Sequence, residues 1–473
     1  MTTWTDMVVR AYRHSDTAVI GAGRRWSGPT FLARAAGAAQ WLESLELPRA
    51  KAVPAFFSAT TGEAAATTLA AAAIGRPLAP LSPRLTVHEL LPVLRALNPP
   101  VIIADADAMA AATALAAATG ARAVELPTPL PETHADLPSP APAAVLGYLH
   151  TSGTTGRPKA VAMTQERFAA RSRVNIGLLE LAPSSVYATA SPWHHIGGSG
   201  NVLVAMAAGA AIVEAARFSL AGWSDLRALD PTHVLLVPTM IEMLLAAGAL
   251  EPGTLRVLQY GAAPIHPDTL RRVLDTVPGV RLVNLFGQTE GSPITCLGPE
   301  DHQRAMREPH LLRSVGRAVP GLEVRIEGAD GTGVGEVAAR GAHLMRPEPD
   351  GWLRTGDLGR LDDDGYLYLS GRLADKIVRG GENIFPIEVE TVLERHPRVR
   401  EVAVVGVPDT RLGETVVAFV VAVDPLSPPP AEELRAHARE RLAGFKVPVE
   451  WHFVDDLPRN PSGKLLRRLL IRA

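Results

Sequence analysis

The chain has 473 residues, 47% hydrophobic and 20% charged, with a formal net charge of −2, the profile of an ordinary globular protein too long for a single compact core. That balance leaves no electrostatic footprint for nucleic acid or an acidic membrane surface. Cys296 is the only cysteine, so an intrachain disulfide and a cysteine-based zinc site are excluded, which suits the cytoplasm; the N-terminal stretch has no apolar signal region, and runs such as Thr67–Gly75 are too short to span a bilayer.

In chain order, helices are expected at 30–45, 62–74 and 86–97, and strands at 51–57 and 100–105. A proline-rich, aperiodic stretch at 126–144 reads as a linker or long surface loop. A second series follows, with strands at 144–150, 185–192, 210–215, 232–238, 255–261 and 280–287 and helices at 165–180 and 198–208. Strands alternating with helices imply parallel sheets, whose ligands sit beyond the carboxyl ends of the strands. Loops rich in Gly, Ser or Thr fall at such ends at 151–159, 261–264 and 287–292.

From about 314 to 370, alternating segments separated by Gly and Asp turns predict a small antiparallel β region. From about 375, Pro386 opens a helix with Val389, Val392 and Leu393 on one face, followed by strands at 402–408 and 416–423, a proline-led helix after 430 and a strand at 449–455. The fold class is therefore α/β: a large N-terminal domain of parallel sheets flanked by helices plus a small β subdomain, and a small mobile α+β C-terminal domain. No internal repeat is present.

The segment Thr151-Ser152-Gly153-Thr154-Thr155-Gly156-Arg157-Pro158-Lys159 carries the strongest chemical signal. Glycines and small hydroxyl residues let backbone N–H groups approach phosphate oxygens, and Lys159 adds positive charge. No Walker A spacing is present, and Pro158 blocks the helix such a loop would feed. This segment resembles the phosphate-gripping signature of the adenylate-forming superfamily of acyl-CoA synthetases, peptide-synthetase adenylation domains and luciferases. Further motifs in the same order extend the resemblance over essentially the whole chain.

The resemblance implies ATP contacts from Thr151, Ser152, Gly153, Thr154, Thr155 and Lys159. Phe286-Gly287-Gln288-Thr289-Glu290 is similar to an element in which Phe286 would stack on adenine and Thr289 would bond the α-phosphate or the substrate carboxylate. Glu290, with Thr154, would contact Mg²⁺. The alternative for Thr289 and Glu290 is capping of a helix N-terminus. Gly261, Ala262 and Ala263 would form a small-residue wall beside adenine and acyl group, Asp357 would accept bonds from both ribose hydroxyls, and Arg372 would contact ribose or phosphate oxygens. Lys464 matches the catalytic lysine, bridging the attacking carboxylate and the α-phosphate.

Ser191–Gly198 resembles the acyl-pocket element, with His195 as its motif histidine and His194 in place of the usual aromatic residue. If this stretch is extended, the two rings point to opposite faces. His194, His195, Gly198, Asn284, Gly261, Ala262 and Gly287 are the candidate substrate wall. Gly380 and Gly381 would pass a pantetheine arm, and Arg441 and Lys446 would meet the CoA phosphates. The hinge pivot is Ala374, where the family pattern has Asp or Lys.

The implied domains are 1–371, holding ATP and acyl group, a hinge at 372–376, and a lid at 377–473 carrying Lys464. The implied activity is ATP-dependent activation of a carboxylic acid through an acyl-adenylate, then transfer to CoA, with ATP, Mg²⁺ and CoA required. A stand-alone enzyme loading a carrier protein is the alternative, and a non-catalytic acyl-adenylate or nucleotide-binding protein is a third reading. No Asp follows the histidine pair to match an ammonium, so the acid expected lacks an α-amino group. Aryl and short or medium aliphatic acids are both compatible with this wall.

Overall fold

The structure is a computed structural model that describes all residues except 1, 22, 49–52, 83–84, 153–157, 216–217, 264, 346, 380–381, 460–464 and 472–473. The chain divides into two compact units, Met1–Glu323 with Arg340–Leu353, and Val324–Ala339 with Arg354–Ala473.

In the first unit a nine-stranded sheet runs, from edge to edge, through Arg317–Ala318, Gly291–Leu297, Arg281–Gln288, Val257–Gly261, His233–Leu236, Val186–Thr189, Ala211–Val213, Val19–Gly21 and Arg24–Trp26. Its interior pairs are parallel, from Val19–Gly21 through to Arg281–Gln288, and its outermost pairs are antiparallel. A second, four-stranded sheet is wholly parallel: Ala79–Pro80, Ala55–Phe57, Val101–Ala104 and Arg122–Glu125. Ala55–Phe57 and Val101–Ala104 are fully buried apolar runs, whereas the edge strand Arg122–Glu125 exposes its charged ends.

The helix Gly62–Ala73 shows one use of alanine. All of its residues are buried, and Ala64, Ala65, Ala66, Ala70, Ala71 and Ala72 join one core with Phe31, Phe56, Phe168, Tyr187 and Trp193. A helix enclosed on every side needs short side chains so that neighbouring elements can approach.

The segment 151–159 departs from the expectation of a loop beyond a parallel strand. Val145–Ser152 and Pro158–Thr164 form their own two-stranded antiparallel sheet, with Thr151 opposite Lys159 and Ser152 opposite Pro158. Antiparallel strands need only a short connection, and the sequence alone did not separate a hairpin from a strand followed by a loop. The helix Trp4–Tyr12, the antiparallel strands Val19–Gly21 and Arg24–Trp26, and the helix Met109–Thr119 were not anticipated individually.

The strands Leu353–Leu361 and Leu367–Arg372, almost wholly in the second unit, pair antiparallel, within a four-stranded sheet that also contains Leu322–Glu327 and Gly335–Gly341. The C-terminal sheet centres on Val399–Asp409 paired with Gly413–Ala422. Val402, Val404, Val416, Ala418 and Val420 pack on one face against Val389, Leu393 and Leu434. Ala403, Val405, Val417, Phe419 and Val421 pack on the other against Leu457 and Leu470. Burial on both faces is why these strands read as unbroken apolar runs rather than alternating ones. Pro386 opens the helix Pro386–Leu393 as expected.

Candidate active site

Parallel neighbours in the large sheet end on the same side, so the segments that follow them share one edge. Thr189 leads into 190–200, Gly261 into 262–266, and Gln288 into the turn at Thr289 and Glu290. The fold thereby brings His194, His195 and Gly198, the wall Gly261–Ala263, and Phe286–Glu290 to one edge of the first unit.

Phe286–Glu290 is part of a β-hairpin, not a helix N-terminus. Arg281–Gln288 pairs antiparallel with Gly291–Leu297, Phe286 faces Thr295, and a register shift lies between Phe286 and Gln288. Gly287 makes the bulge possible: a Cβ there would lie 2.6 Å from the Gly291 carbonyl oxygen and 2.9 Å from Ser292 Cα. Thr289 and Glu290 occupy the turn, both half-buried. The Glu290 carbonyl accepts from the Met345 amide at 2.7 Å, and the His343 ring donates through Nε2 to the Pro293 carbonyl at 2.7 Å.

Gly261 and Ala262 end their strand in backbone regions that side chains resist, at φ of 157° and 69°. A Cβ on Gly261 would come within 2.8 Å of the Leu285 carbonyl oxygen. Behind this wall Asn284 is buried directly opposite Tyr260. Tyr260 Oη donates to His302 Nε2 at 2.7 Å, while His302 Nδ1 donates to the Gly298 carbonyl at 2.7 Å. Desolvation is the main cause pulling His302 down to about 4, so this imidazole is neutral at pH 7.

The histidine pair departs from the extended geometry. The His195 amide bonds the Pro192 carbonyl at 3.0 Å, turning the chain, and the two rings lie side by side with centroids 4.3 Å apart. A π-helical turn, Ile196–Gly200, follows and leads into the helix Asn201–Ala207; such turns recur at functional sites. Gly198 is buried, and a Cβ on it would overlap the Pro192 carbonyl oxygen at 2.0 Å. Its absent side chain therefore closes the turn.

Sequence reasoning missed Arg171, which is 2% exposed on the helix Gln165–Leu179. Its Nε donates to the Ser292 carbonyl at 2.9 Å, Nη1 to the Gly200 carbonyl at 2.7 Å, and Nη2 to Asn201 Oδ1 at 2.7 Å. Burial lowers this guanidinium to about 10, so it stays charged at neutral pH. A signal existed: Gln165, Arg171, Ser172 and Asn175 put polar groups on the buried face of that helix, and buried polar groups need partners.

Several candidates lie in the second unit. Asp357 and Arg372 sit opposite each other on paired strands. Arg372 Nε donates to Asp357 Oδ1 at 2.8 Å, and Asp357 is buried. Ala374 is exposed in a short 3₁₀ turn, Leu373–Asp375. Lys446 Nζ meets Glu388 Oε2 at 2.5 Å, and Arg441 Nη1 meets Glu440 Oε2 at 2.7 Å, so both candidate CoA-binding cations are engaged by glutamates.

Gly153, Thr154, Thr155, Gly380, Gly381 and Lys464 lie outside the described residues, and of Thr151 and Ser152 only the strand pairing is described. Lys159 is exposed. Next to Lys464, Arg459 and Leu465 form an antiparallel bridge. Arg467 bonds both oxygens of buried Glu390 at 2.6 and 2.8 Å and lies 3.5 Å from Asp375.

For magnesium, the chemistry of the donors fits. Among the described residues no group of three or more His, Cys, Asp and Glu could hold a metal. A hard cation here would rest on the Glu290 carboxylate and on oxygens of the triphosphate it accompanies. No helix among the described residues is long and apolar enough to cross a membrane.

The AMP-binding enzyme family pattern matches residues 7–347, and that of the AMP-binding enzyme C-terminal domain matches 388–464. A fatty acid–[acyl-carrier-protein] ligase of Streptomyces coeruleorubidus is 36% identical over 354 residues, 70% of this chain and 67% of that protein. The 2-succinylbenzoate–CoA ligase of Bacillus licheniformis is 37% identical over 345 residues, 68% of this chain and 69% of that protein. Among solved structures, an o-succinylbenzoate CoA synthetase from Bacillus subtilis in complex with its acyl-adenylate superposes with a TM-score of 0.87 at 26% identity, covering 99% of this chain and 98% of that one. An amide bond synthetase from Marinactinospora thermotolerans gives 0.86 at 28% identity, with the same coverage.

Proposed function

We propose, from the premise that the chain belongs to the AMP-binding enzyme family, that it is an AMP-forming acid–thiol ligase for a carboxylic acid lacking an α-amino group, with CoA as acceptor. The observation that carries this reading is that the histidine turn, the Gly261–Ala263 wall and the Phe286–Glu290 hairpin all follow parallel strands that end on the same side of the sheet.

In this reading the substrate carboxylate attacks the α-phosphorus of ATP and pyrophosphate leaves in line, so positioning and charge neutralisation provide most of the catalysis. The segment 151–159 grips the phosphates. Phe286 stacks on adenine, Thr289 bonds the α-phosphate or the carboxylate, and Glu290 holds magnesium, which when bound neutralises triphosphate charge. Asp357 accepts from ribose hydroxyls beside Arg372. Lys464 stabilises charge at the α-phosphate during adenylation. His194 and His195 border the acyl group. A hinge at 372–376, with Ala374 as its pivot, separates the two half-reactions, and Gly380 and Gly381 line the thiol's approach. A cytoplasmic location is part of the proposal, supported by the single cysteine.

A second acceptor, pantetheine on a carrier protein, is favoured by the glutamate partners of Arg441 and Lys446, which leave less charge for a CoA nucleotide. Exchange of labelled pyrophosphate into ATP across a panel of acids, followed by AMP release on adding CoA, tests both steps. Exchange with no acid in the panel would overturn the adenylating function. AMP release triggered only by a carrier protein would overturn CoA as acceptor.

A further inference from the structure

Arg171 draws together segments that the proposed chemistry assigns to different substrates. Ser292 lies just past Thr289 and Glu290 on the nucleotide-side hairpin, and Gly200 and Asn201 close the acyl-side turn that begins after His195. One guanidinium donates to all of them, through Nε to Ser292, Nη1 to Gly200 and Nη2 to Asn201. Its planar fork fixes the relative positions of its acceptors in a way a flexible ammonium does not.

The acceptors are two main-chain carbonyls and an amide oxygen, none of them a carboxylate. A cation this deeply buried loses its hydration, and its donors satisfy acceptors that an apolar residue of similar volume would leave unpaired, so the arrangement is costly both to build and to break. The hairpin is also held by Met345 on the Glu290 carbonyl and His343 on the Pro293 carbonyl. Arg171 ties that hairpin to the acyl-side turn.

We propose that Arg171 is a positioning residue for adenylation: it sets the spacing between the acyl-side turn and the nucleotide-side hairpin, and so the approach of the carboxylate to the α-phosphate. This rests on the adenylating function proposed above. A misplacement of about 1 Å in such a site costs about 10²-fold in rate.

The test is acid-dependent pyrophosphate exchange by Arg171→Met and Arg171→Lys, alongside melting curves and circular dichroism. Arg171→Met should lower kcat about 10²-fold, and Arg171→Lys, which keeps the charge but loses the fork, about tenfold, with KM for ATP and acid changed less than about threefold. Gln165→Leu is the structural control: it lies on the same helix, but its bonds go to Thr5 and Ala72, so it should lose stability while keeping kcat per folded molecule. If Arg171→Met does not fold, Asn201→Ala and Arg171→Lys carry the test. Wild-type kcat per folded molecule in the Arg171 variants, or losses that only track the melting point as in Gln165→Leu, would overturn the proposal. Absence of exchange in the wild-type enzyme would instead overturn the adenylating function itself.

Discussion

Acidification tests the buried Tyr260–His302 pair that backs the nucleotide-side wall. His302 is 1% exposed, and its hydrogen bonds commit Nδ1 to donating and Nε2 to accepting. A second proton would have to displace the Tyr260 hydroxyl proton from Nε2 and carry its charge without water. Desolvation therefore lowers the group from 6.5 to about 4, against smaller opposing contributions from the Gly298 carbonyl and Asp301. The unfolded chain binds this proton near pH 6.5, whereas the folded protein refuses it until about pH 4. Stability from this group is thus fully present above pH 6.5 and is lost as pH falls toward 4, at up to about 1.4 kcal/mol per pH unit and about 3 kcal/mol in all.

Urea unfolding of the wild type and His302→Gln, measured at several pH values from 7 to 4, isolates that contribution. The variant should be less stable at pH 7, having lost the Tyr260 and Gly298 geometry, yet its stability should fall less steeply with acid. His150, His233 and His343 are depressed in the same direction and act equally in both proteins. Parallel pH slopes in the two proteins would refute the reasoning.

Removing the ammonium in Lys464→Ala should lower the adenylation rate about 10²–10³-fold, read by pyrophosphate exchange. Thiolysis of a supplied acyl-adenylate should be nearly unchanged, and equal loss in both half-reactions would count against a role specific to adenylation. Gly287→Ala places a Cβ 2.6 Å from the Gly291 carbonyl oxygen, so the hairpin should be destabilised by about 1–3 kcal/mol and the KM for ATP should rise. An unchanged melting point and KM would show that the bulge adapts. Asp357→Asn keeps the side-chain shape but weakens the charge-assisted bond from Arg372. A raised KM for ATP with little change in fold is expected, and loss of stability at constant KM would assign the pair a structural role alone.

The candidate site residues were named through resemblance to family motifs, and neither composition nor periodicity would have assigned them roles. The sequence predicts a strand ending at Gly287 followed by a loop, with a helix N-terminus at Thr289 and Glu290 as the alternative, and a hairpin was not foreseen. Pairing with Gly291–Leu297 decided for the hairpin, through long-range hydrogen bonds that no local pattern encodes. The same limit explains the histidine pair. Alternation predicts opposed rings for an extended chain, and the bond from the His195 amide to the Pro192 carbonyl turns that chain and sets the rings together.

Composition and periodicity by themselves determined the α/β class, most strands of the large sheet and the apolar central strands of the C-terminal unit, because burial on two faces selects unbroken apolar runs. Only the tertiary structure decided that Tyr260 meets His302, that Asp357 faces Arg372, and that Arg171 binds Gly200, Asn201 and Ser292. Those partners are far apart in the chain, and a donor's partner is set by which distant acceptors packing leaves unsatisfied beside it, a quantity defined only once the core has closed.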